Sequence, residues 1–385
     1  MSGIRIAVIG GGSAGICAAI AAARNGAQVT LLERSDQLGG MGTRAMVHTF
    51  CGLYNPDTTK PPEIANPGLP AEIESLMRTE TGAAPVKIGK VYVLPQHPAA
   101  YAKIASSLTS AEKNLQTYFH TKCTAIDGNA DGSFRISTDK SEITADRIID
   151  TSADAIAANY LGATRTSSPL EIRQRSAFIF FLDGIPAEAT SENFRMRLAL
   201  EIVRAVKSNC LPSAALGTHC RASTTPGQVF FTTDLDPASP TDLLETGRHL
   251  AESLTTFLRN TFPEYKNCSP PQLAPAPGIR ETYQWKGQYE LTGKDLIEGT
   301  TFPDAVANAT WPLELRETTR GPRLQYFTES KPSGIPLRSL VSSEIPDVYF
   351  AGRCISADHM AQASIRVMGT CFATGQAAGI AASRA

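Results

Sequence analysis

The chain has 385 residues, 36 basic and 37 acidic, with a net charge of −1. So near a balance argues against a dominant electrostatic role on nucleic acid or on a membrane. No apolar run approaches the ~18 residues of a spanning helix. The eight cysteines include no C-x-x-C pair, which suggests neither a zinc site nor a dithiol centre and fits reduced thiols in the cytoplasm. The length is enough for a large core and about two to three domains.

In chain order, Ile4, Ile6, Val8 and Ile9 predict a buried strand, and Gly10, Gly12 and Gly15 supply a G-x-G-x-x-G turn. The three glycines serve the tight turn, the close backbone approach to a pyrophosphate, and the close packing of helix on strand. Ala19 and Ala23 keep the following helix slim, Gly26 ends it, and Val29 to Leu32 form a second strand with Glu33 at its carboxyl end. There a carboxylate can accept bonds from ribose hydroxyls. The N-terminal apolar stretch is broken at Gly10–Gly12, so it belongs to this βαβ dinucleotide-binding unit and is not a signal peptide.

Residues 51–96, with Pro56, Pro61, Pro62, Pro67 and Pro70, read as a surface connector with several imposed turns. A helix is expected near Pro98–Leu108, strands around Gln116–Ile126 and Phe134–Thr138, and a strand Arg147–Asp150 entering Thr151-Ser152-Ala153-Asp154. Further on come a strand at Ala177–Leu182, an amphipathic helix at Phe194–Ser208, a strand at Val229–Thr233 and a helix at Thr241–Thr261. Finally, a strand ending in Ala351-Gly352-Arg353 precedes a small-residue helix. Ser364 is its expected N-cap, and Gly375, Ala378 and Gly379 allow close packing. Amides near Ile365 and Arg366 at its N-terminus would stabilise a negative charge.

Arg34 to Gly39-Gly40 resembles the ribose-acid-to-GG extension of flavoproteins of the glutathione-reductase-like superfamily. Together with LGGMGTRAMVHTFCGLYNP (38–56), RIIDTSADAIAANYLGA (147–163), PGIRETYQWKGQYELTGKDL (277–296) and the AGRCISADH block, the chain resembles the FAD-dependent oxidoreductase family related to fumarate-reductase flavoproteins. The resemblance covers nearly the whole chain, least securely about 164–276. It implies an α/β fold: a Rossmann-like FAD-binding domain of glutathione-reductase type, from 1–50, 97–163 and 335–385, with an inserted α+β substrate or cap domain from 51–96 and 164–334. It further implies noncovalent FAD held by Gly10, Gly12, Ser13, Ala14, Gly15, Glu33, Arg34, Gly40, Met41, Cys123, Ser152, Ala153, Gly352, Arg353, Ile365 and Arg366. Ala153 replaces the glycine of the Ala-Thr-Gly that related flavoproteins carry, so their tight turn geometry does not transfer automatically.

A flavin performs the redox step, so the protein has to orient a substrate and manage protons and charge. Arg280, in Gly278-Ile279-Arg280-Glu281, is the leading candidate for binding a substrate carboxylate or handling protons, against the alternative of an Arg–Glu surface pair. His359 and His48 are candidates for acid–base work. Cys51 invites a covalent flavin link or a redox thiol, but a buried small thiol is the favoured reading. Cys51, Tyr54, Tyr283, Trp285, Trp311 and Arg316 are candidates for lining a substrate pocket, although large aromatics also simply fill cores. No second G-x-G-x-x-G appears, which argues against a dedicated NAD(P)H domain. The expected activity is hydride transfer between a small organic substrate, an acid among the candidates, and flavin N5. It runs as a dehydrogenase or oxidase or as an ene-type reductase, with an electron partner still to be identified. The alternatives are a flavin monooxygenase using NAD(P)H and oxygen, and a non-catalytic binding protein on the same scaffold.

Overall fold

The structure, a computed structural model, describes residues 3–319 and 321–384. β1 (Arg5–Ile9) leads through the glycine turn into α1 (Ser13–Arg24) and β2 (Gln28–Leu32). α2 (Leu69–Thr81) and α3 (Pro98–Ser110) follow, then β3 (Leu115–Tyr118) and β4 (Arg147–Asp150). A second group contains β5 (Ser176–Asp183), α4 (Glu192–Lys207), β6 (Thr218–Ala222), β7 (Gln228–Leu235), α5 (Pro240–Thr261) and β8 (Gln272–Leu273). The chain closes with β9 (Val348–Phe350), α6 (His359–Ile365) and α7 (Met368–Ser383).

The first group forms an all-parallel sheet in the order β9-β4-β1-β2-β3, with Val8 of β1 in register with Ile149 on one side and Leu31 on the other. Its central strands β1 and β2 are largely apolar because both faces are covered there, the usual condition of parallel sheets, whereas the edge strand β3 alternates half-buried and exposed residues. Chain order reverses direction at β1, since β2 and β3 lie to one side and β4 and β9 to the other. In such sheets the crevice outside the strand carboxyl ends at that switch point is where ligands bind.

α1 and α7 pack against each other with almost no side-chain thickness between them. A Cβ on Gly375 would sit 2.1 Å from the Ala14 carbonyl oxygen, and one on Gly379 would sit 2.3 Å from that of Ala18. This bears out the close packing expected of that small-residue helix, but its start differs from the expectation. Ser364 lies inside α6, its hydroxyl donating to the Trp311 carbonyl. Arg366 ends α6 in the right-handed region, Val367 is extended (φ −73°, ψ 151°), and α7 begins at Met368. The expected helix thus begins three residues later than a Ser364 cap would place it, and the segment before it, read as a turn, is itself helical. The proline-rich 51–96 segment also holds more structure than a connector. Pro70 occupies the first turn of α2, where its missing N–H costs nothing, and Val86–Ile88 pairs with Val91–Pro95 as a hairpin.

The second group forms an antiparallel sheet in the order β6-β7-β5-β8. Its two faces differ in chemistry because side chains alternate along each strand. Phe178, Phe180, Phe231 and Cys220 join the apolar cluster with residues of α4 and α5. The opposite face carries the registered rows His219–Thr232–Ile179 and Arg221–Phe230–Phe181. β6 is not among the expected strands. Gly375→Ala should destabilise the protein by about 1–3 kcal/mol through overpacking of α7 on α1, read as a lowered urea midpoint with unchanged m.

Candidate functional site

A cavity of about 370 Å³ opens at the carboxyl ends of β1, β2 and β4 and runs beneath the face of the antiparallel sheet that carries His219, Arg221 and Thr232. At one end it meets Glu33, Arg34, Thr121 and Cys123; in the middle Gly10, Gly12, Ser13, Ala14, Gly40, Met41, Ser152 and Ala153. Gly352, Arg353, Arg366 and Met368 border it further along, and His48, Cys51, Arg280, Trp311 and Arg316 line the far end.

Glu33 is held rigidly at the wall: Oε2 accepts from the Gly11 amide at 2.8 Å, and Oε1 accepts from the Ser35 amide and hydroxyl, each at 2.7 Å. α1 has no side-chain cap, since Gly12 occupies its N-cap position, and no acidic residue in its first turn. Its first amides and the positive end of its dipole therefore face the cavity, an arrangement suited to an anion. A Cβ on Gly12 would meet no protein atom and would project into this space. α7 likewise begins without a side-chain cap, with Val367 and Met368 at the cavity wall.

The far end is organised by a run of alternating charges. Arg280 Nη2 donates to Asp234 Oδ1 at 2.8 Å, Arg316 Nη1 donates to Asp234 Oδ2 at 2.7 Å, and Arg316 Nη2 meets Glu314 Oε1 at 2.7 Å. Trp311 Nε1 donates to the other Glu314 oxygen at 2.8 Å. Burial works against both carboxylates, but the neighbouring guanidiniums outweigh it and hold Asp234 and Glu314 each at about 2. Arg366 donates to Gln174 Oε1 and to the Glu314 carbonyl, each at 3.1 Å, and burial draws its guanidinium down to about 10. Arg221 lines the same end and has no bonded partner among the described residues.

Both histidines at this end are neutral. Burial and then the Arg221 charge bring His48 down to about 3; burial and then Arg316 bring His219 to about 4. The His48 ring stacks on Phe230 at 4.4 Å and 6°, and its Nδ1 lies 3.3 Å from the Met46 carbonyl oxygen. A carbonyl can only accept, so Nδ1 carries the hydrogen and Nε2 keeps its lone pair. Burial pushes the Cys51 thiol up to about 12, which keeps it protonated and argues against a redox thiol. All eight cysteines are free, and no metal-binding cluster occurs among the described residues.

Several expected site residues lie elsewhere. His359 stands apart from the cavity, with Nδ1 2.9 Å from Glu281 Oε1 and Nε2 3.3 Å from Glu317 Oε1. The bond to Glu281 raises its pKa, which makes it a charged tie between the start of α6 and two loops rather than a proton mover in the cavity. Trp285 is buried behind the sheet, stacked on Phe350 at 5.0 Å, with Nε1 donating to Asp150 at 2.9 Å. Tyr54 is buried and donates to Glu74 at 2.7 Å. Tyr283 is exposed beneath the Arg165 guanidinium. Ile365 is core, and Gly15 lies under the turn, where a Cβ would be 1.8 Å from the Gly10 carbonyl oxygen. Aromatic content in these blocks thus marks packing more than pocket. Arg353 borders the cavity but is engaged by Asp154, by the Ile279 carbonyl and by the Ala153 carbonyl. Ala153 itself adopts φ 69°, the left-handed conformation a glycine would take without strain. Asp234, Glu314, His219 and Arg221 escape a reading of the sequence. The alternation His219-Cys220-Arg221, an apolar residue between two polar ones, is the available signal.

A switch-point crevice with a glycine cradle, a fixed acid beyond β2 and uncapped helix ends defines a dinucleotide-binding α/β protein. Residues 5–385 match the family described as FAD dependent oxidoreductase, and the chain belongs to it. It is therefore an enzyme whose cofactor is FAD. No curated protein matches it. Among solved structures, it is similar to a PqsL mutant from P. aeruginosa, with 11% identity, a TM-score of 0.48, and coverage of 99% of this chain and 86% of that one. The p-nitrophenol 4-monooxygenase PnpA from Pseudomonas putida DLL-E4 gives 13%, 0.44, 93% and 74%. The Diels-Alderase PyrE3 of pyrroindomycin biosynthesis gives 11% and 0.44, covering 74% of this chain, which spans only 57% of the length of PyrE3. No helix among the described residues is long and apolar enough to cross a membrane.

Two measurements check these assignments. Asp234→Asn leaves Arg280 and Arg316 facing each other without a full counter-charge and should cost about 3–5 kcal/mol of stability, measured by urea unfolding. The His359 tie should show in the pH dependence of unfolding. A histidine whose folded pKa is raised stabilises fully below the unfolded value, and that stabilisation is lost as pH climbs through the folded one. Wild type should therefore lose stability as pH rises past 6.5, the ordinary imidazole value. His359→Gln should lack that part of the slope; equal slopes would remove the assignment.

Proposed function

We propose that the enzyme transfers a hydride between a small organic substrate and N5 of its flavin, as a dehydrogenase or oxidase or as an ene-type reductase. The observation that carries this reading is the continuity of one cavity from Glu33, past the uncapped start of α1, to the charged and aromatic end at His48, Trp311 and Arg316. In this reading 1–50, 97–163 and 335–385 form an FAD-binding domain of glutathione-reductase type, and 51–96 and 164–334 form the substrate or cap domain.

The cradle fits the cofactor. Glu33 would accept from the adenosine ribose, the first amides of α1 would meet the diphosphate, and the start of α7 with Arg366 would border the flavin's pyrimidine edge. Bound FAD supplies a reversible two-electron acceptor. The chain supplies the rest. His48 Nε2, its lone pair fixed by the Nδ1 contact to Met46, takes the proton that leaves the substrate as the hydride departs and returns it in the opposite direction. Phe230 holds the ring flat. Arg280 is engaged by Asp234 and by the Arg175 carbonyl at 2.5 Å, so its part is to position Asp234 and through it Arg316.

Anaerobic mixing with a panel of small acids and alcohols tests the reading: substrate-dependent loss of the oxidised flavin's visible absorbance is expected. NAD(P)H-driven oxygen consumption with a hydroxylated product, and no anaerobic bleaching, would replace it with the monooxygenase reading. His48→Gln should lower kcat by about a hundredfold or more while FAD content stays unchanged.

A further inference from the structure

We infer that Arg221 is the substrate-selecting residue and that it takes a carboxylate of a small organic acid. This rests on the hydride-transfer reading above and adds the substrate class to it. Arginines at the far end of the cavity differ in how far their donors are already committed. Arg280 and Arg316 share Asp234, and Arg316 is also bonded to Glu314. Arg366 donates through Nη2 to Gln174 and the Glu314 carbonyl, beside the Glu314 charge, while its buried Nε has no partner among the described residues. Arg221 alone of these four has no bonded partner among the described residues, although it is half-buried and lines the cavity.

The fold aims it there. Along β6, His219 and Arg221 share the face opposite Cys220, whose side chain is in the apolar cluster under α4 and α5. Arg221 pairs across the sheet with Phe230, and Phe230 carries the stacked ring of His48. A half-buried guanidinium with no bonded partner among the described residues thus stands one cross-strand pair from the proton-moving histidine. The groups facing Arg221 from the surrounding elements are neutral His48 and His219 and the protonated Cys51, each of which feels its charge. Beyond them, Asp234 and Glu314 are already matched by Arg280, Arg316 and Arg366. Four guanidiniums here face two carboxylates, so the far end is cationic, and Arg221 is the one of the four with no bonded partner among the described residues, which leaves it to take a carboxylate of the ligand. A planar carboxylate suits the guanidinium fork and its parallel N–H donors. The remaining walls, Trp311, Val93 and Ile179, suit an apolar body on that acid.

The test uses FAD-loaded enzyme and reads perturbation of the flavin's visible spectrum in equilibrium titrations, without turnover. The probes are acetate and benzoate, each against its uncharged amide. In wild type at least one acid should bind more tightly than its amide. Arg221→Gln should weaken that acid by about ten- to a hundredfold, leave the amide unchanged and keep full FAD content, and Arg221→Lys should recover part of the loss. Neither acid outbinding its amide in wild type, or equal acid affinity in Arg221→Gln, overturns the inference. The outcome is separable from that of the reading beneath it. Acids that bind through Arg221 without anaerobic bleaching uphold the carboxylate site while removing hydride transfer. Bleaching by an acid with an unchanged KM in Arg221→Gln removes only the role of Arg221.

Discussion

The constraint on which the site depends is the buried charge run Arg280–Asp234–Arg316–Glu314. Its members come from three separated parts of the chain: Asp234 from β7, Arg280 from the loop that follows β8, and Glu314 and Arg316 from the strand Leu313–Leu315 and its exit. Buried ions of this kind are costly unless each is paired and hydrogen-bonded. Here each carboxylate oxygen of Asp234 accepts from a different arginine, and both oxygens of Glu314 are used. The run therefore fixes the antiparallel sheet against the 280–316 region with directional bonds. That sets the roof of the cavity relative to the Trp311 wall, and neither surface could shift without exposing an unpaired charge.

Beneath this roof the parallel sheet imposes a different constraint, one of shape. α7 can reach the cavity wall with its first turn only because Gly375 and Gly379 let it lie against α1. The two helices that point uncapped ends at the cavity are thus in direct contact with each other. Their alignment brings two partial positive ends to one elongated space, which suits a cofactor that is negatively charged at its diphosphate and gains negative charge on reduction. Shape at the floor and charge at the roof are independent in sequence, and the cavity is where they meet.

Local rules make the floor legible. The glycine spacing, the acid beyond β2 and the apolar strands are decided within about thirty residues, where periodicity and turn chemistry dominate. The expected strands at Arg147–Asp150, Ala177–Leu182 and Val229–Thr233 are present for the same reason. The roof is much less legible because its pairings join residues separated by 46 and 82 positions, Asp234 to Arg280 and Asp234 to Arg316. Arg280 reads as a free substrate ligand because nothing local places Asp234 beside it. His359 reads as a proton mover because its two carboxylates, Glu281 and Glu317, are likewise brought to it by the fold. Ser364 reads as a cap by residue type, whereas the break is made by the backbone of Val367, a residue with no capping side chain.

The same logic explains why the histidines and arginines of the cavity divide their work. A cationic histidine beside Arg221 and Arg316 would face like charge in a poorly solvated space, so His48 and His219 are held neutral. Neutrality leaves His48 as an acceptor of low basicity when the cavity holds no anion. Burial is the larger cause of that low basicity and would remain, but an anion on Arg221 would offset the second cause, the Arg221 charge, and would add attraction for the imidazolium. On the proposed role of His48, its basicity would thereby be coupled to occupancy, rising when an acid is seated next to it. Such coupling needs no conformational change, only an arginine without a partner of its own placed one cross-strand pair from a stacked, desolvated histidine.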